Sequence, residues 1–335
     1  MNKKKSVICL TPVRNESWIL DKFLSSSSIW ADYIIISDQG SDDNSRDIAK
    51  KYEKVKLISN AYKDYNEFII RQVLFEEAGK IKGGKILIAL DADEFFTPDL
   101  FFSDEWEKVL TSNPGTVIKS KFVNLLPDLQ YYWFGPMDLP WGFIDDNSKY
   151  LAGKIHTNRI IYPEGANVLL LEKIKVMHFQ YTDWNRMESK HRWYQCWERI
   201  NNPQKSSVRI FRPYHHMYAV KNSELKKIPG EWFDYYKKSG IDLAVVNKYK
   251  YYYWDKLVLD YFNKYGTHFF KREDIWYINW ETKARDYGYK DTNKYKDPRN
   301  FFLKIVHFWL RRTQYNHKNI FIRAVDKILV KFFRV

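Results

Sequence analysis

Three carboxylates within four positions, Asp91, Asp93 and Glu94, directly follow the uncharged run of residues 86–90. A run of apolar residues this short predicts a strand that is covered on both faces, as in a parallel sheet flanked by helices. In such sheets, ligands bind outside the carboxyl ends of the strands. Asp91 and Asp93 are two positions apart and therefore project to the same side of an extended chain. Two hard oxygen ligands held together suit Mg²⁺ or Mn²⁺ bridging a diphosphate.

The alternative interpretation of these acids is structural. Acids can cap a helix, and the sequence predicts a helix that begins near Pro98, with Asp and Thr favoured at its amino end. Thr97 and Pro98 already supply that cap, so three further acids exceed what the cap needs. The sequence therefore favours the interpretation as a metal–diphosphate site.

The first hundred residues alternate strands and helices. Periodicity predicts strands at 6–10, 33–37, 55–59 and 85–90, and helices at 16–30, 46–52 and 66–78. This repeated order predicts an α/β fold with a Rossmann-like, mostly parallel sheet flanked by helices. Farther along we predict a helix at 104–111, strands at 116–123, 158–162 and 174–178, a helix at 183–199 and a mostly helical remainder. Prolines and glycines among the aromatics of residues 124–150 predict a long ordered loop.

Composition bounds the class of protein. The chain has 335 residues, 45% of them hydrophobic and 29% charged, which indicates a globular protein of one large or two modest domains. Residues 1–150 carry 19 Lys and Arg against 23 Asp and Glu, whereas residues 151–335 carry 36 against 18. The basic second half predicts an anionic partner, such as a membrane surface, a phosphorylated acceptor or a nucleic acid.

Cysteine content and apolar segments bear on location. Cys9 and Cys196 fit neither a disulfide framework nor a zinc-finger spacing, which favours reduced thiols inside the cell. The apolar run after the basic start is too short for a signal peptide, and no stretch approaches the ~20 apolar residues of a membrane span. We therefore expect a cytoplasmic protein.

Three motifs occur in order at the ends of predicted strands. They are Thr11-Pro12-Val13-Arg14-Asn15-Glu16, Asp38-Gln39-Gly40-Ser41-Asp42-Asp43 and the DXD-type Asp91-Ala92-Asp93-Glu94. Together they resemble the signatures of the family-two nucleotide-sugar glycosyltransferases, which have the GT-A fold. Residues 158–162 and 176–181, with Lys190 after them, are similar to the branch that builds bacterial lipopolysaccharide core and surface polysaccharide.

The resemblance implies roles for individual residues at a nucleotide-sugar site. Asp93 would hold the metal on the diphosphate, and the residues beside the nucleotide would be Thr11, Pro12, Arg14, Glu16, Asp38, Asp91 and Ala92, with Asp38 at the base and Asp91 near the ribose. We predict His178 as a second metal ligand or a phosphate contact, the alternative being a structural histidine. Arg71 and Lys190 are candidate phosphate contacts, the alternative being solvated surface charge.

The resemblance favours inversion, which requires a carboxylate to accept the proton of the attacking acceptor hydroxyl. The glutamate–aspartate pair that carries the base in many relatives is not evident downstream. We therefore predict Asp145 or Asp146 as the catalytic base, with Asp138 and Glu164 behind them.

Aromatic and basic residues suggest contacts with the acceptor and with a membrane. Rings can stack on sugar faces, and although core packing explains most of them, four are candidates for acceptor contact: Trp133, Trp141, Trp184 and Trp193. In the tail, one helical face would carry Phe321, Val325, Ile328 and Phe332, and another Arg323, Lys327, Lys331 and Arg334. Such a helix lies on anionic lipid or packs against the body with its basic side solvated.

The sequence thus predicts a catalytic GT-A domain over residues 1–200 and a basic, mostly helical extension over 201–335. The predicted reaction moves a sugar from a nucleotide-sugar donor, a UDP-sugar, to a cell-surface glycan or lipid-linked precursor with Mn²⁺ or Mg²⁺, at the inner face of the plasma membrane. One alternative is a sugar-phosphate nucleotidyltransferase, but residues 11–16 lack its glycine-rich basic loop. The other is a nucleic-acid-binding protein, which the acidic cluster disfavours, so we expect no nucleic-acid partner.

Overall fold

The computed structural model describes residues 5–60, 67–147, 159–160, 162 and 165–333, apart from the side chains of residues 67, 68, 332 and 333. The chain divides into two compact units, which we call the sheet unit (residues 1–182 and 226–248) and the helical unit (residues 183–225 and 249–335). The division therefore falls before residue 200. Residues 226–248 return to the sheet unit, and the backbone N–H of Ile228 donates to the carbonyl oxygen of Gln130 at 2.8 Å.

The described part of the sheet unit contains one nine-stranded sheet. Its strands are β1 (Ser6–Val13), β2 (Tyr33–Asp38), β3 (Val55–Ser59), β4 (Lys85–Ala89), β5 (Glu94–Phe96), β6 (Val117–Leu125), β7 (Tyr131–Ile144), β8 (Val168–His178) and β9 (Lys226–Lys227). They lie in the order β3-β2-β1-β4-β7-β6-β8-β5, with β9 paired to β7. Only β5 and β7 run against the other described strands. The predicted mostly parallel α/β sheet is confirmed, and the carboxyl ends of β1, β2, β4, β6 and β8 share one edge.

The helices follow in chain order. They are α1 (Leu20–Trp30), α2 (Ser45–Ala49), α3 (Glu67–Gly79), α4 (Asp99–Phe102), α5 (Glu105–Thr111), α6 (Trp184–Asn201), α7 (Ser207–Tyr214), α8 (Gly230–Lys238), α9 (Tyr253–Tyr265), α10 (Trp280–Asp286), α11 (Phe301–Thr313) and α12 (Ile320–Phe333). The first five and α8 belong to the sheet unit, and the others form the helical unit. Within the described residues, no helix has the length and apolar character that crossing a bilayer would require.

Helices cover both faces of the parallel strands. On one face, Ile34 and Ile88 pack in a cluster with Phe23 of α1. On the other, Ile35 and Leu87 pack in a second cluster with Leu74 of α3. Successive side chains of a strand point to opposite faces, so a sheet covered on both sides requires unbroken apolar runs. These runs are why the first four strands could be predicted from sequence.

The predicted long loop over residues 124–150 is wrong, because residues 131–144 form the long antiparallel strand β7. Its prolines occupy irregular positions. Pro140 pairs beside the register shift between Ile118 and Lys119, and Pro136 lies between the paired residues Phe134 and Asp138, at the second shift. Because proline cannot donate to the ladder, it is tolerated where pairing is interrupted. The turn-forming residues therefore mark bulges within a strand.

Candidate functional site

The acidic motif forms a tight turn at the end of β4. The backbone N–H of Asp91 donates to Glu94 Oε2 at 2.8 Å, and the N–H of Glu94 donates to the carbonyl oxygen of Asp91 at 3.0 Å. The turn leads into β5, where Glu94 lies opposite His178 on β8. The N–H of Phe179 also donates to the carbonyl oxygen of Asp93 at 2.8 Å. The sheet thereby joins two motifs that are far apart in the sequence.

Asp93, Glu94 and His178 form a candidate metal site, with ligand atoms that all lie within 4.8 Å of one another. His178 Nε2 is 3.8 Å from Asp93 Oδ1 and 4.0 Å from Glu94 Oε1. Nδ1 of the same ring is 3.1 Å from Asn124 Oδ1 at the end of β6. An amide oxygen only accepts, so Nδ1 is the donor in this contact, and Nε2 faces the carboxylates. Carboxylate and imidazole donors fit Mn²⁺.

Glu94 is fully buried and is bound by Arg159, whose two terminal nitrogens donate to its carboxylate oxygens. Burial raises the pKa of Glu94 to about 7; Arg159 opposes this rise, and Asp91 and Asp93 add to it. Burial would lower the pKa of Arg159, but Asp91 and Glu94 outweigh that effect and raise it. Since both oxygens of Glu94 contact Arg159, we assign Glu94 to holding the turn, and Asp93 and His178 to the cation.

Asp91 lies between two arginines. Arg159 donates to Asp91 Oδ2 at 3.2 Å. A terminal nitrogen of Arg71, which lies on α3, is 3.5 Å from Asp91 Oδ1. The structure therefore brings Arg71 to the acidic turn, as a phosphate-binding role would require. Planar guanidinium groups beside a carboxylate and a cation can bind phosphate oxygens through paired hydrogen bonds.

Asp38 ends β2 and is buried at the same sheet edge. Its Oδ1 accepts from the backbone N–H of Ser41 at 3.2 Å, and Arg46 Nε lies 3.4 Å from its Oδ2. One oxygen of this carboxylate thus faces a backbone amide and the other a guanidinium group. Asp38 is thus positioned by its own loop at the strand end, where the sequence places the nucleotide base.

The loop after β1 is braced against the loop after β2. Asn15 has a positive φ of 57°, and its amide makes reciprocal bonds with Asp42, from Nδ2 to Oδ1 at 2.7 Å and from the Asp42 N–H to Oδ1 at 2.9 Å. The N–H of Glu16 donates to Ser45 Oγ at 2.9 Å, and Glu16 Oε2 accepts from Trp18 Nε1 at 2.5 Å. These bonds fix the backbone around Arg14.

The remaining predicted nucleotide contacts are Thr11, Pro12, Ala92 and Lys190. Thr11 is buried inside β1, with Oγ1 3.5 Å from Cys9 Sγ, and Pro12 pairs with Ser37 in the sheet. The Ala92 side chain packs in the core cluster below the turn. Lys190 lies on α6 of the helical unit, where its Nζ is 5.9 Å from the centre of the Trp254 ring. For Thr11 and Ala92, any contact with a ligand would come from the backbone.

The structure places Asp145 and Asp146, the predicted catalytic bases, away from the acidic turn. The N–H of Asp145 donates to the carbonyl oxygen of Lys85 at 3.0 Å, and its Oδ2 is 2.9 Å from Lys85 Nζ. Lys85 begins β4, so both acids lie at the opposite sheet edge from Asp91, about 20 Å away along the strand. They lie there because residues 131–144 cross the sheet as a strand.

The reserve bases differ in position. Asp138 lies midway along β7 with Oδ1 3.2 Å from Lys121 Nζ, and Glu164 is outside the described residues. Neither is placed beside Asp93 by the described structure.

The four tryptophans proposed to contact an acceptor separate into three groups. Trp133 pairs with Asn124 at the site edge, and its ring is 4.8 Å from that of Tyr181, which in turn is 5.8 Å from His178. Trp141 is fully buried and donates from Nε1 to Ser120 Oγ at 2.8 Å, so it is a core residue. Trp184 and Trp193 belong to α6 of the helical unit. Of the two candidate tryptophans in the sheet unit, Trp133 lies close to the candidate metal site.

Sequence reasoning assigned no role to Asn124 or Arg159. Asn124 lies one residue beyond the strand predicted at 116–123, so its position at the shared edge could have been inferred from the parallel register of β6. Arg159 belongs to a segment that resembled the polysaccharide-building branch. Its pairing with Glu94 spans 65 positions, however, and no local pattern reveals such a contact.

Comparisons with known proteins give limited similarity. No family model and no curated protein matches the chain. Glucosyl-3-phosphoglycerate synthase from Mycobacterium tuberculosis, in complex with phosphoglyceric acid, is 19% identical over 35% of this chain and 44% of that one, with a TM-score of 0.28. Mannose-1-phosphate geranyltransferase from Thermus thermophilus is 12% identical over 44% of this chain and 51% of that one, with a TM-score of 0.26. The matched regions thus span about half or less of those chains.

Proposed function

We propose that this protein is a metal-assisted glycosyltransferase that takes a sugar from a nucleotide-sugar donor. The observation that carries the proposal is the convergence of Asp93, His178, Asp91 and Asp38 at one edge of the mostly parallel sheet. A sugar-nucleotide donor needs a cation for its diphosphate and an acceptor group for its base. This edge offers both, in the loops that follow β2 and β4 on either side of β1.

Asp93 and His178 would hold the cation, and Asn124 would orient the histidine ring. When bound, a divalent cation neutralises the charge that develops on the diphosphate as the bond to the sugar breaks. Arg71 and Arg159 provide fixed positive charge beside it. The two arginines would bind phosphate oxygens and help to exclude water from the leaving group.

We assign the base-binding role to Asp38. The carboxylate of Asp38 can accept a hydrogen bond from the N3–H of uracil, which favours a UDP-sugar as donor. The braced loops after β1 and β2 would hold Arg14 and Glu16 beside the nucleotide. Rings of Trp133 and Tyr181 next to His178 offer faces on which a sugar can stack.

For the acceptor, we propose a hydroxyl of a cell-surface glycan or lipid-linked precursor, with inversion at the anomeric carbon. This part of the proposal rests on the resemblance of the sequence motifs. A protein of this type would act at the cytoplasmic face of the membrane.

The test is thermal unfolding of the full chain with UDP and MnCl₂, together and separately. We expect UDP with Mn²⁺ to raise the Tm of the wild-type chain, because a ligand that binds only the folded state stabilises it. In Asp93→Asn, adding Mn²⁺ to UDP should no longer raise the Tm above its value with UDP alone. Asp104→Asn, at an exposed acid on the sheet unit, is the matched control and should keep the increase that Mn²⁺ adds.

An equal Tm increase in Asp93→Asn and wild type would overturn the proposed site. If UDP with Mn²⁺ protects the chain, a panel of UDP-sugars should then be screened for metal-dependent release of UDP. Release of pyrophosphate from a nucleoside triphosphate and a sugar phosphate would instead identify a nucleotidyltransferase.

A further inference from the structure

Helices α11 and α12 of the helical unit each have one buried face and one exposed apolar row. Their buried faces form a single cluster with α7, made of Val208, Phe211, Leu303, Val306, Leu310 and Leu329. The exposed row of α11 contains Phe301, Ile305 and Phe308, which are 78%, 49% and 70% exposed. That of α12 contains Ile320, Phe321 and Ile328, which are 85%, 66% and 49% exposed. Large apolar side chains gathered on a surface mark an interaction site.

The two rows are held together by contacts between the helices. Trp309, next to Phe308, lies edge-on to Phe321 with ring centres 6.4 Å apart. Its Nε1 also donates to Asp326 Oδ1 at 3.3 Å. Arg212 of α7 donates to both oxygens of Asp326 at 2.9 Å. These contacts fix the rotation of α12 about its own axis. They therefore determine which of its side chains are exposed.

The charge on the exposed side of these helices is positive. Lys304 and Arg312 of α11 and Arg323, Lys327 and Lys331 of α12 are exposed. Residues 301–333 contain a single acid, Asp326, which faces the helix junction. Basic side chains therefore border the apolar rows, and the single acid of this segment, Asp326, is directed toward Arg212.

We propose that α11 and α12 form a docking surface for an anionic lipid membrane. The exposed Phe and Ile side chains would enter the boundary between headgroups and acyl chains, and the basic side chains would bind lipid phosphates. A second copy of the chain fits this surface less well, because a self-complementary contact would bring like charges together. The membrane is the partner that satisfies both the apolar rows and the charge.

This surface differs from the one that the sequence predicted. Val325 packs against the buried cluster, so the exposed face of α12 contains Ile320 and Ile328 but not Val325. Helix α11 contributes half of the exposed apolar side chains. The inference deepens the proposed action on a lipid-linked acceptor, but it concerns residues remote in sequence from the metal site. An assay without nucleotide or metal tests it separately.

The test is co-sedimentation of the full chain with phosphatidylglycerol vesicles and with phosphatidylcholine vesicles. The wild-type chain should bind the anionic vesicles more strongly, and added salt should weaken that binding. Phe301→Ser with Phe308→Ser should lower the partition coefficient by about tenfold or more, because two rings no longer enter the lipid. Arg323→Gln with Lys327→Gln should lower it about fivefold per residue on anionic vesicles alone.

Phe102→Ser is the matched control, since Phe102 is 74% exposed on α4 of the sheet unit. It should bind like wild type, and all variants should keep the wild-type Tm because the replaced side chains are exposed. Equal binding of wild type and the Phe301/Phe308 double variant would overturn the proposal. The proposal would also be overturned if the wild-type chain were a dimer that did not bind vesicles and the double variant were a monomer. That result would identify the surface as a dimer interface.

Discussion

The sheet unit and the helical unit bury charge in different ways. In the sheet unit, Asp91, Asp93 and Glu94 crowd one turn, and Arg71 and Arg159 offset only part of the negative charge. In the helical unit, buried or half-buried carboxylates are matched with arginines from other segments: Asp255 with Arg192, Glu273 with Arg199, Asp274 with Arg311 and Asp326 with Arg212.

The difference suggests different roles for the two sets of charges: stability of the fold for the matched pairs, and ligand binding for the crowded acids. Matched pairs between separate segments link those segments and leave little charge for a ligand. Carboxylates crowded at a sheet edge repel one another and gain from an added cation. On this comparison, the acidic turn is where an added cation would lower the energy most.

The largest expected effect is the loss of a matched pair. Arg192 donates to Asp255 Oδ1 from Nε at 3.0 Å and from a terminal nitrogen at 2.8 Å, and Asp255 is fully buried. Arg192→Met would leave Asp255 with Lys283, 3.1 Å away, and should cost about 3–5 kcal/mol in the free energy of unfolding. Urea unfolding of the full chain measures this loss.

Arg192→Lys is the comparison variant, since it keeps the charge but not the forked geometry, and it should lose less stability than Arg192→Met. A loss below about 1 kcal/mol in Arg192→Met, the range of an exposed ion pair, would contradict a cross-linking role.

A second prediction concerns acid. Burial lowers the pKa of His215 to about 4, with Asp274 opposing the shift, from an ordinary value of 6.5. Between these values the unfolded chain binds a proton that the folded chain does not, so the contribution is full above pH 6.5 and is lost as pH falls toward 4. The loss amounts to ~3 kcal/mol for a shift of this size.

Hydrogen exchange of peptides covering 207–219, followed from pH 7 to pH 5, measures this effect within the helical unit. His215→Gln should flatten the dependence on pH, whatever its stability at neutral pH. An unchanged slope in that variant would show that His215 titrates normally. Burial also lowers the pKa of His191 and His307, so some pH dependence should remain.

A smaller effect is expected from Asn124→Ala. Loss of the amide oxygen that holds His178 Nδ1 should weaken Mn²⁺ binding by about 10–100-fold while the fold persists. Titration calorimetry with MnCl₂ measures the change. Asn113→Ala, in a loop of the same unit, is the control, and equal weakening in both variants would contradict a specific role for Asn124.

The sequence predicted what local patterns encode. Unbroken apolar runs indicated the parallel strands, and the ends of those runs indicated Asp38, Asp91 and Asp93. The position of His178 beside Asp93 depends on the pairing of β5 with β8, which no local pattern reveals. The sequence offered His178 as a ligand with the support of the family resemblance.

Contacts between distant segments could not be read in this way. The prolines of β7 looked like loop residues because its bulges depend on β6 and are not visible in one strand. Asp145 was misplaced for the same reason. In the helical unit, a charged residue on a helix is typical of solvent exposure, so the buried pairs of Arg192 and Arg199 gave no signal.

The most direct test of the central claim is binding of Mn²⁺ to the full chain in the presence of UDP, measured by electron paramagnetic resonance of the free ion. We predict that the wild-type chain removes Mn²⁺ from solution in a UDP-dependent manner, and that Asp93→Asn and His178→Ala each abolish this uptake. Undiminished uptake by Asp93→Asn would contradict the assignment of the acidic turn as the metal site.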